Sequence, residues 1–146
     1  MTMDVKVDEI RDDDVDQVVA LWHAAGVARP WNDPATDIAF ARRGSHSTIL
    51  VMQTEQRIVA SAMVGEDGHR GWVYYVAADP AYQRIGLGKA IMAAAEEWLR
   101  RRGVWKVQLL VREGNEAVRR FYEDLGYHDT RAICFQKVID PAPALQ

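Results

Sequence analysis

Residues 83–89 read Gln83-Arg84-Ile85-Gly86-Leu87-Gly88-Lys89, and they stand between two segments of different periodicity. Upstream, Trp72 to Ala78 is a nearly unbroken apolar and aromatic run stopped by Asp79-Pro80, the pattern of a strand covered on both faces. Downstream, Leu87, Ile91, Ala94, Ala95 and Trp98 recur at helical spacing until Arg100-Arg101-Arg102 and Gly103 end the pattern. A glycine-rich turn from a central strand into an amphipathic helix commits the chain to a layered α/β architecture. It also creates a chemical opportunity. Backbone N–H groups at a helix N-terminus lack intrahelical partners, and glycine removes the Cβ atoms that would hold a pyrophosphate away from them. Arg84 and Lys89 add positive charge there.

Two phosphate motifs do not fit this loop. A P-loop requires Ser or Thr after its lysine, and Lys89 is followed by Ala90; the dinucleotide fingerprint requires a third glycine where Ile91 stands. The loop by itself therefore admits either a pyrophosphate cradle or a plain glycine-rich connection.

The remaining segments build around that unit. Val5 and Val7 alternate with polar residues as a first strand, and Asp12-Asp13-Asp14 begins a helix with Val15, Val18, Val19 and Trp22 on its buried stripe, ended by Gly26. A turn-rich stretch, Arg29 to Pro34, leads to a weaker helix through Ile38, Phe40 and Ala41 to about Gly44. Strands over Thr48–Gln53 and Arg57–Val64, joined by Thr54-Glu55-Gln56, read as a hairpin. After the helix come an apolar strand over Val104–Val111 and a helix capped by Asn115, with Val118, Phe121, Tyr122 and Leu125 on one face and Gly126 at its end. Tyr127 to Val138 then returns as one long strand or two short ones. The order β-α-α-β-β-β-α-β-α-β predicts a mixed α/β sheet with helices on both faces.

With 146 residues the chain is expected to form a single domain over residues 1–139, followed by a frayed tail over 140–146. A formal charge of -3 supplies no overall basic field for nucleic acid. No stretch has signal-peptide or membrane-spanning character, so a soluble, cytoplasmic protein without a membrane partner is expected. Cys134, the sole cysteine, lies in an apolar run and is expected to be buried and inert. His23, His46, His69 and His128 show no metal-ligand spacing, so no metal is expected.

Taken together, the loop Gln83–Gly88, the element order and an Asn115 followed by an aromatic pair ending in Tyr122 resemble the GNAT family of N-acetyltransferases, whose acetyl-CoA signature is Q/R-x-x-G-x-G/A at the helix after the fourth strand. Arg29 to Pro34 and Asp67-Gly68-His69-Arg70-Gly71 are similar to segments of the small bacterial YpeA-type group within it. The resemblance implies a mixed, mostly antiparallel sheet in which the fourth strand splays from the fifth at the acetyl-CoA site. It implies cofactor contacts from Val76, Ala77 and Ala78 through their backbone, from Gln83, Arg84, Ile85, Gly86, Leu87, Gly88 and Lys89 to the pyrophosphate, and from Asn115 to the pantetheine arm. Tyr122 takes the family's general-acid position. A phenol can protonate a departing thiolate, although Tyr122 also lies on its helix's apolar stripe, where a packed core aromatic is the competing reading.

The implied reaction is direct attack by a primary amine of a small molecule or peptide. A non-catalytic acetyl-CoA-binding or regulatory domain is the alternative. Proton-accepting candidates are Glu66, Asp67 and His69 near the sheet opening, set against an ordinary solvated turn. Trp31, Asn32 and Asp33 lie in the connection that shapes the acceptor pocket in this fold, and Asp33, Asp37, Glu66 and Asp67 could attract a cationic amine. The segment after Gly126 is short, leaving the cleft either open or completed by a second subunit in a homodimer.

Overall fold

Short-range chemistry sets most of the elements. The computed structural model describes residues 5–82 and 85–141. β1 (Lys6–Glu9) pairs antiparallel with β2 (Ser47–Thr54) as a solvent-facing edge. Asp12–Asp14 form a single 3₁₀ turn, with the Asp14 carboxylate accepting from Arg11 N–H at 2.8 Å, before α1 (Val15–Ala24) begins. α2 (Pro34–Arg42) starts with proline in its first turn and is capped by Asp33, whose Oδ1 accepts from Thr36 N–H at 3.3 Å.

β2 returns directly as β3 (Arg57–Glu66), and Glu55 and Gln56 between them both have positive φ, +48° and +69°. A two-residue hairpin loop of the I′ kind requires that conformation. Neither residue is the glycine or asparagine that usually marks such a loop, so the register of the long strands imposes it. β4 (Gly71–Ala78) pairs antiparallel with β3, and β5 (Val107–Gln108) joins β4 in parallel through the crossover that includes α3 (Leu87–Arg100). The sheet order is β1-β2-β3-β4-β5.

The two faces of the sheet are covered by different helices. Val18, Leu21 and Trp22 of α1 and Ile38 and Ala41 of α2 form one buried cluster with Ile49, Val51, Ile58 and Ala77. On the other face α3 buries Leu87, Ile91, Met92, Ala95, Trp98 and Leu99. Its approach is tight at Gly71, where an added Cβ would lie 2.6 Å from Leu99 Cδ1. The mixed sheet with helices on both faces matches the architecture expected from the element order, and its mostly antiparallel pairing matches what the resemblance implies. β4 is less covered than its apolar sequence suggests, since Tyr74 remains 46% exposed.

The chain divides into two compact units, the first reaching Leu109 and the second beginning at Leu110. The second contains α4 (Glu116–Asp124), capped by Asn115 Oδ1, which accepts from Val118 N–H at 3.3 Å, and followed by Gly126 at φ +96°. The strand expected over Tyr127–Val138 does not form. Asp129 Oδ1 accepts from Arg131 N–H at 2.7 Å and Thr130 Oγ1 from Ala132 N–H at 3.4 Å, while Arg131 adopts φ +61°. These local bonds take N–H groups a ladder would need and turn the chain out of an extended path. Cys134 is consequently exposed rather than buried, since no sheet covers its run. The strand expected over Val104–Val111 contracts to Val107–Gln108.

Candidate active site

Gly86 is the N-cap of α3, with φ +83° and ψ +18°, a left-handed conformation that disfavours any residue with a Cβ. Among the described residues, an atom placed at its Cβ position meets nothing within 4 Å. Ala90 N–H donates to Gly86 O, the first helical bond, leaving the N–H groups of Leu87, Gly88 and Lys89 ahead of the ladder. Leu87 is buried and anchors the turn, while Ile85 and Lys89 are exposed. The first turn of α3 contains no acidic residue to repel an anion. Gln83 and Arg84 lie outside the described residues.

The exit of β4 toward this loop is pinned. Asp79 Oδ1 accepts from Ala81 N–H at 2.9 Å and Oδ2 from the Arg57 guanidinium at 2.7 Å, which together hold the carboxyl below the usual range. Along β4 itself the parallel ladder with β5 comprises only Gly71↔Val107 and Trp72↔Gln108. Val76, Ala77 and Ala78 therefore extend past the last β5 pair, with Ala77 buried and its neighbours half-buried.

On the β3 side the register slips by one residue. Met63 faces Tyr74 and Ser61 faces Ala77, so Tyr75 and Val76 together oppose Ala62 in a β-bulge. Tyr75 has φ +52°, which brings its ring onto the α1/α2 face. There it stacks on Trp22 with ring centroids 3.8 Å apart and planes 1° from parallel. Its hydroxyl donates to Asp37 Oδ2 at 2.5 Å. Trp22 Nε1 donates to Ser61 Oγ at 2.7 Å, and Ser61 Oγ in turn donates to the Tyr75 carbonyl at 3.4 Å. Burial, then the hydrogen bond to Asp37, then the charges of Asp37 and Asp33 push the Tyr75 hydroxyl far above its ordinary pKa, so it stays protonated.

Trp31 and Asn32 are exposed in the α1–α2 connection, and Asp33 is the α2 cap. The remaining candidates sit in the β3–β4 turn. Glu66 bonds His46 Nδ1 through Oε1 and accepts from Gly68 N–H through Oε2, and the His46 contact is the larger cause of its lowered pKa. Asp67 Oδ1 accepts from Arg70 N–H at 2.7 Å and His69 N–H at 2.9 Å, and Oδ2 from Trp72 Nε1 at 3.1 Å. The Arg70 bond leads in holding Asp67 below the usual range. His69 contributes a looser ring contact, Nδ1 to Arg70 at 3.4 Å. This turn adjoins Gly71, and β4 carries the chain about 13 Å to Tyr75 and about 23 Å to Ala78 at 3.3 Å per residue.

In the second unit, Tyr122 is buried on α4 between Phe121 (centroids 5.0 Å apart) and Tyr127 (5.7 Å), both edge to face. Burial pushes its phenol up to about 12. Asn115 uses its side-chain oxygen for the helix cap, leaving its amide nitrogen to serve other groups. Arg119 pairs with Glu123 and Asp129. No cluster of three or more His, Cys, Asp or Glu with metal-binding geometry occurs among the described residues.

A helix opened by a left-handed glycine after a bulged strand that runs past its β5 partner is the setting in which family comparison becomes decisive. Residues 8–127 match the model of the acetyltransferase (GNAT) family. The chain belongs to that family. An acetyltransferase of Pectobacterium atrosepticum is 37% identical over 135 residues, covering 92% of this chain and 94% of that one. Among solved structures, a Trypanosoma brucei acetyltransferase is 27% identical with a TM-score of 0.73, covering 92% of this chain and 100% of that one. AAC(6')-Iy, solved with the bisubstrate analogue CoA-S-monomethyl-acetylneamine, shares the fold with a TM-score of 0.79 at 12% identity, over 92% and 98% of the two chains. This GNAT protein is an acyl-CoA-dependent N-acetyltransferase.

Within the GNAT frame, two features were missed in the sequence reading. The sequence marks Asp37 only as one of four carboxylates able to attract a cationic amine, and Tyr75 only as part of an apolar strand. The available signal was the phenol in a central strand, because a half-buried hydroxyl needs a partner. His46, the partner of Glu66, lies 20 residues away in the sequence and had no local pattern to mark it.

Proposed function

We propose that this enzyme moves an acetyl group from acetyl-CoA to a primary amine by direct attack. The observation that carries the proposal is Gly86, left-handed at the start of α3, the helix that follows the part of β4 running past its β5 partner. The N–H groups of Leu87, Gly88 and Lys89 receive the pyrophosphate, joined by Gln83, Arg84 and the backbone at Ile85 and Gly86. Val76, Ala77 and Ala78 pair through their backbone with the pantetheine arm, and an N–H on this stretch polarises the thioester carbonyl. The complex of AAC(6')-Iy with a CoA bisubstrate analogue supports this use of the fold.

The neutral amine attacks the carbonyl carbon, a C–N bond forms and the C–S bond breaks. One proton leaves the nitrogen and one arrives at the sulfur. Tyr122 is the proposed donor to sulfur. With its phenol pushed up to about 12, against about 8.5 for a thiol, it acts by a hydrogen bond that strengthens as the thiolate develops. Asn115 steadies the pantetheine arm. Glu66, Asp67 and His69 are the proposed proton-accepting turn, working through water. Of the three, His69 is the acceptor we favour, because both oxygens of each carboxylate already hold the turn together. Trp31, Asn32 and Asp33 line the acceptor side, the acceptor being a small-molecule or peptide amine; the cytoplasm is the proposed location. No described helix is long and apolar enough to cross a membrane.

Calorimetry with acetyl-CoA followed by thiol release over a panel of polyamines, amino acids, peptides and aminoglycosides tests the reading. Tyr122→Phe should lower turnover by about tenfold to a thousandfold while acetyl-CoA affinity holds. An unchanged rate removes Tyr122 from the mechanism, and absence of CoA binding removes the whole proposal.

A further inference from the structure

Tyr75 and Asp37 join two parts of the fold that the proposed reaction has to keep in register. Tyr75 is the residue at which β4 bulges, and its own carbonyl is held by Ser61. Asp37 is the acidic residue of the first turn of α2, four residues after Asp33, the cap that ends the exposed Trp31-Asn32 connection. The hydroxyl-to-carboxylate bond spans 38 residues, and the stacked Trp22 ring fixes the direction in which the phenol points. A left-handed backbone at a non-glycine residue is strained and persists only where its surroundings over-determine it. Trp22, Ser61 and Asp37 are those surroundings.

We propose that Tyr75 and Asp37 are positioning residues for acetyl transfer: their bond clamps the β4 bulge to the N-terminal half of α2 and so aligns the N–H that polarises the thioester with the acceptor loop. This rests on the acetyl-transfer reading above. The clamp joins β4 to α2 and includes no residue of the α3 start proposed to hold the CoA phosphates, so its loss is expected to act mainly on the reacting centre, with cosubstrate affinity little changed. Asp37 uses one carboxylate oxygen for Tyr75, and an amide oxygen in the same place can accept the same hydrogen bond. A methyl group cannot.

The experiment uses the full chain with acetyl-CoA labelled with ¹³C at the thioester carbonyl and hydroxylamine as a small probe nucleophile. The measurements are acetyl-CoA affinity, the carbonyl chemical shift on binding, and kcat for thiol release. In the wild-type protein the bound carbonyl should move downfield, as polarisation requires. Tyr75→Phe keeps the ring stack and removes the hydroxyl; Asp37→Ala removes the acceptor. Both should return the shift toward its free value and lower kcat by about tenfold, with affinity within about threefold. Asp37→Asn should restore both the shift and the rate to within about threefold of wild type. A fall in melting temperature with shift and kcat unchanged would make the clamp purely structural and overturn the proposal. So would an Asp37→Asn protein as impaired as Asp37→Ala. Failure of the wild-type chain to bind acetyl-CoA would instead overturn the acetyl-transfer reading, which separates the two.

Discussion

The β3–β4 turn and the β4 bulge are both rich in polar contacts, but the contacts differ in reach. Around Asp67 the partners are three or fewer residues away for the backbone bonds and five for Trp72. Around Tyr75 the stacking partner is on α1, the hydroxyl partner on α2 and the carbonyl partner on β3. A local turn organises itself with little loss of chain entropy, whereas contacts between distant elements form only once the fold has brought them together. The turn thus explains the charge of Asp67 locally, while Glu66 at its edge also reaches back to His46. The bulge needs the whole first unit to explain it, and for that reason it reports on alignment of the site more directly than the turn does.

The largest effect expected from this contrast is at Trp22. It is fully buried, stacks on Tyr75 and donates to Ser61, so Trp22→Ala removes core volume, the stack and the hydrogen bond together. Urea denaturation should show a loss of about 3–5 kcal/mol. Trp22→Phe keeps an aromatic face for Tyr75 but loses the indole N–H, and should cost less. If both substitutions cost under about 1 kcal/mol, well below the range for a buried aromatic, the bulge is not braced by α1 and the contrast with the turn collapses.

A second effect separates the regions by pH. Burial and Asp37 raise the Tyr75 pKa, and burial raises that of Tyr122, so the folded chain retains these protons where an unfolded tyrosine, near 10, begins to lose them. Their contribution is fully present below about pH 10 and is lost as pH rises; for Tyr122 the loss runs up to about 12. Unfolding midpoints measured from pH 8 upward, at about one-unit steps, should fall less steeply in Tyr75→Phe than in wild type. An identical alkaline slope would mean that the phenol is as easily ionised in the fold as outside it.

The same difference in reach explains what the sequence makes legible. The glycine at the start of α3, α3 itself and the Asn115 cap depend on neighbours within a few residues, and pattern alone locates them: Gly86 is the left-handed N-cap of α3, and Asn115 caps α4. The β2–β3 hairpin is legible from its two apolar runs and the short polar turn between them, although Glu55-Gln56 lacks the usual glycine or asparagine. Tyr75–Asp37 and His46–Glu66 are not, because their partners lie 38 and 20 residues apart and neither spacing is periodic. The expected final strand misled for the opposite reason. The apolar run Ala132-Ile133-Cys134-Phe135 suggests a strand, but the decisive bonds are the short-range ones to Asp129 and Thr130, which divert the chain at Arg131.

The smallest effect belongs to the turn, at the acid end of the pH range. Arg70, His69 and Trp72 donate to Asp67 and lower its pKa, and His46 and Gly68 do the same for Glu66. A carboxyl depressed in the fold stabilises it above the unfolded value, near 4, and that contribution disappears as pH falls through the folded pKa. Asp67→Asn retains an oxygen able to accept from Arg70 and His69 but no longer titrates. Its unfolding midpoint should lie slightly below wild type at pH 7 and converge with wild type as pH drops below about 4, with turnover on a common acceptor within about twofold at pH 7. His69→Gln leaves the backbone turn untouched and should lower that turnover by about threefold to tenfold. A turnover loss in Asp67→Asn larger than that in His69→Gln would move the proton acceptor to Asp67, and would show that a turn able to explain the charge of Asp67 locally can still have chemistry placed upon it.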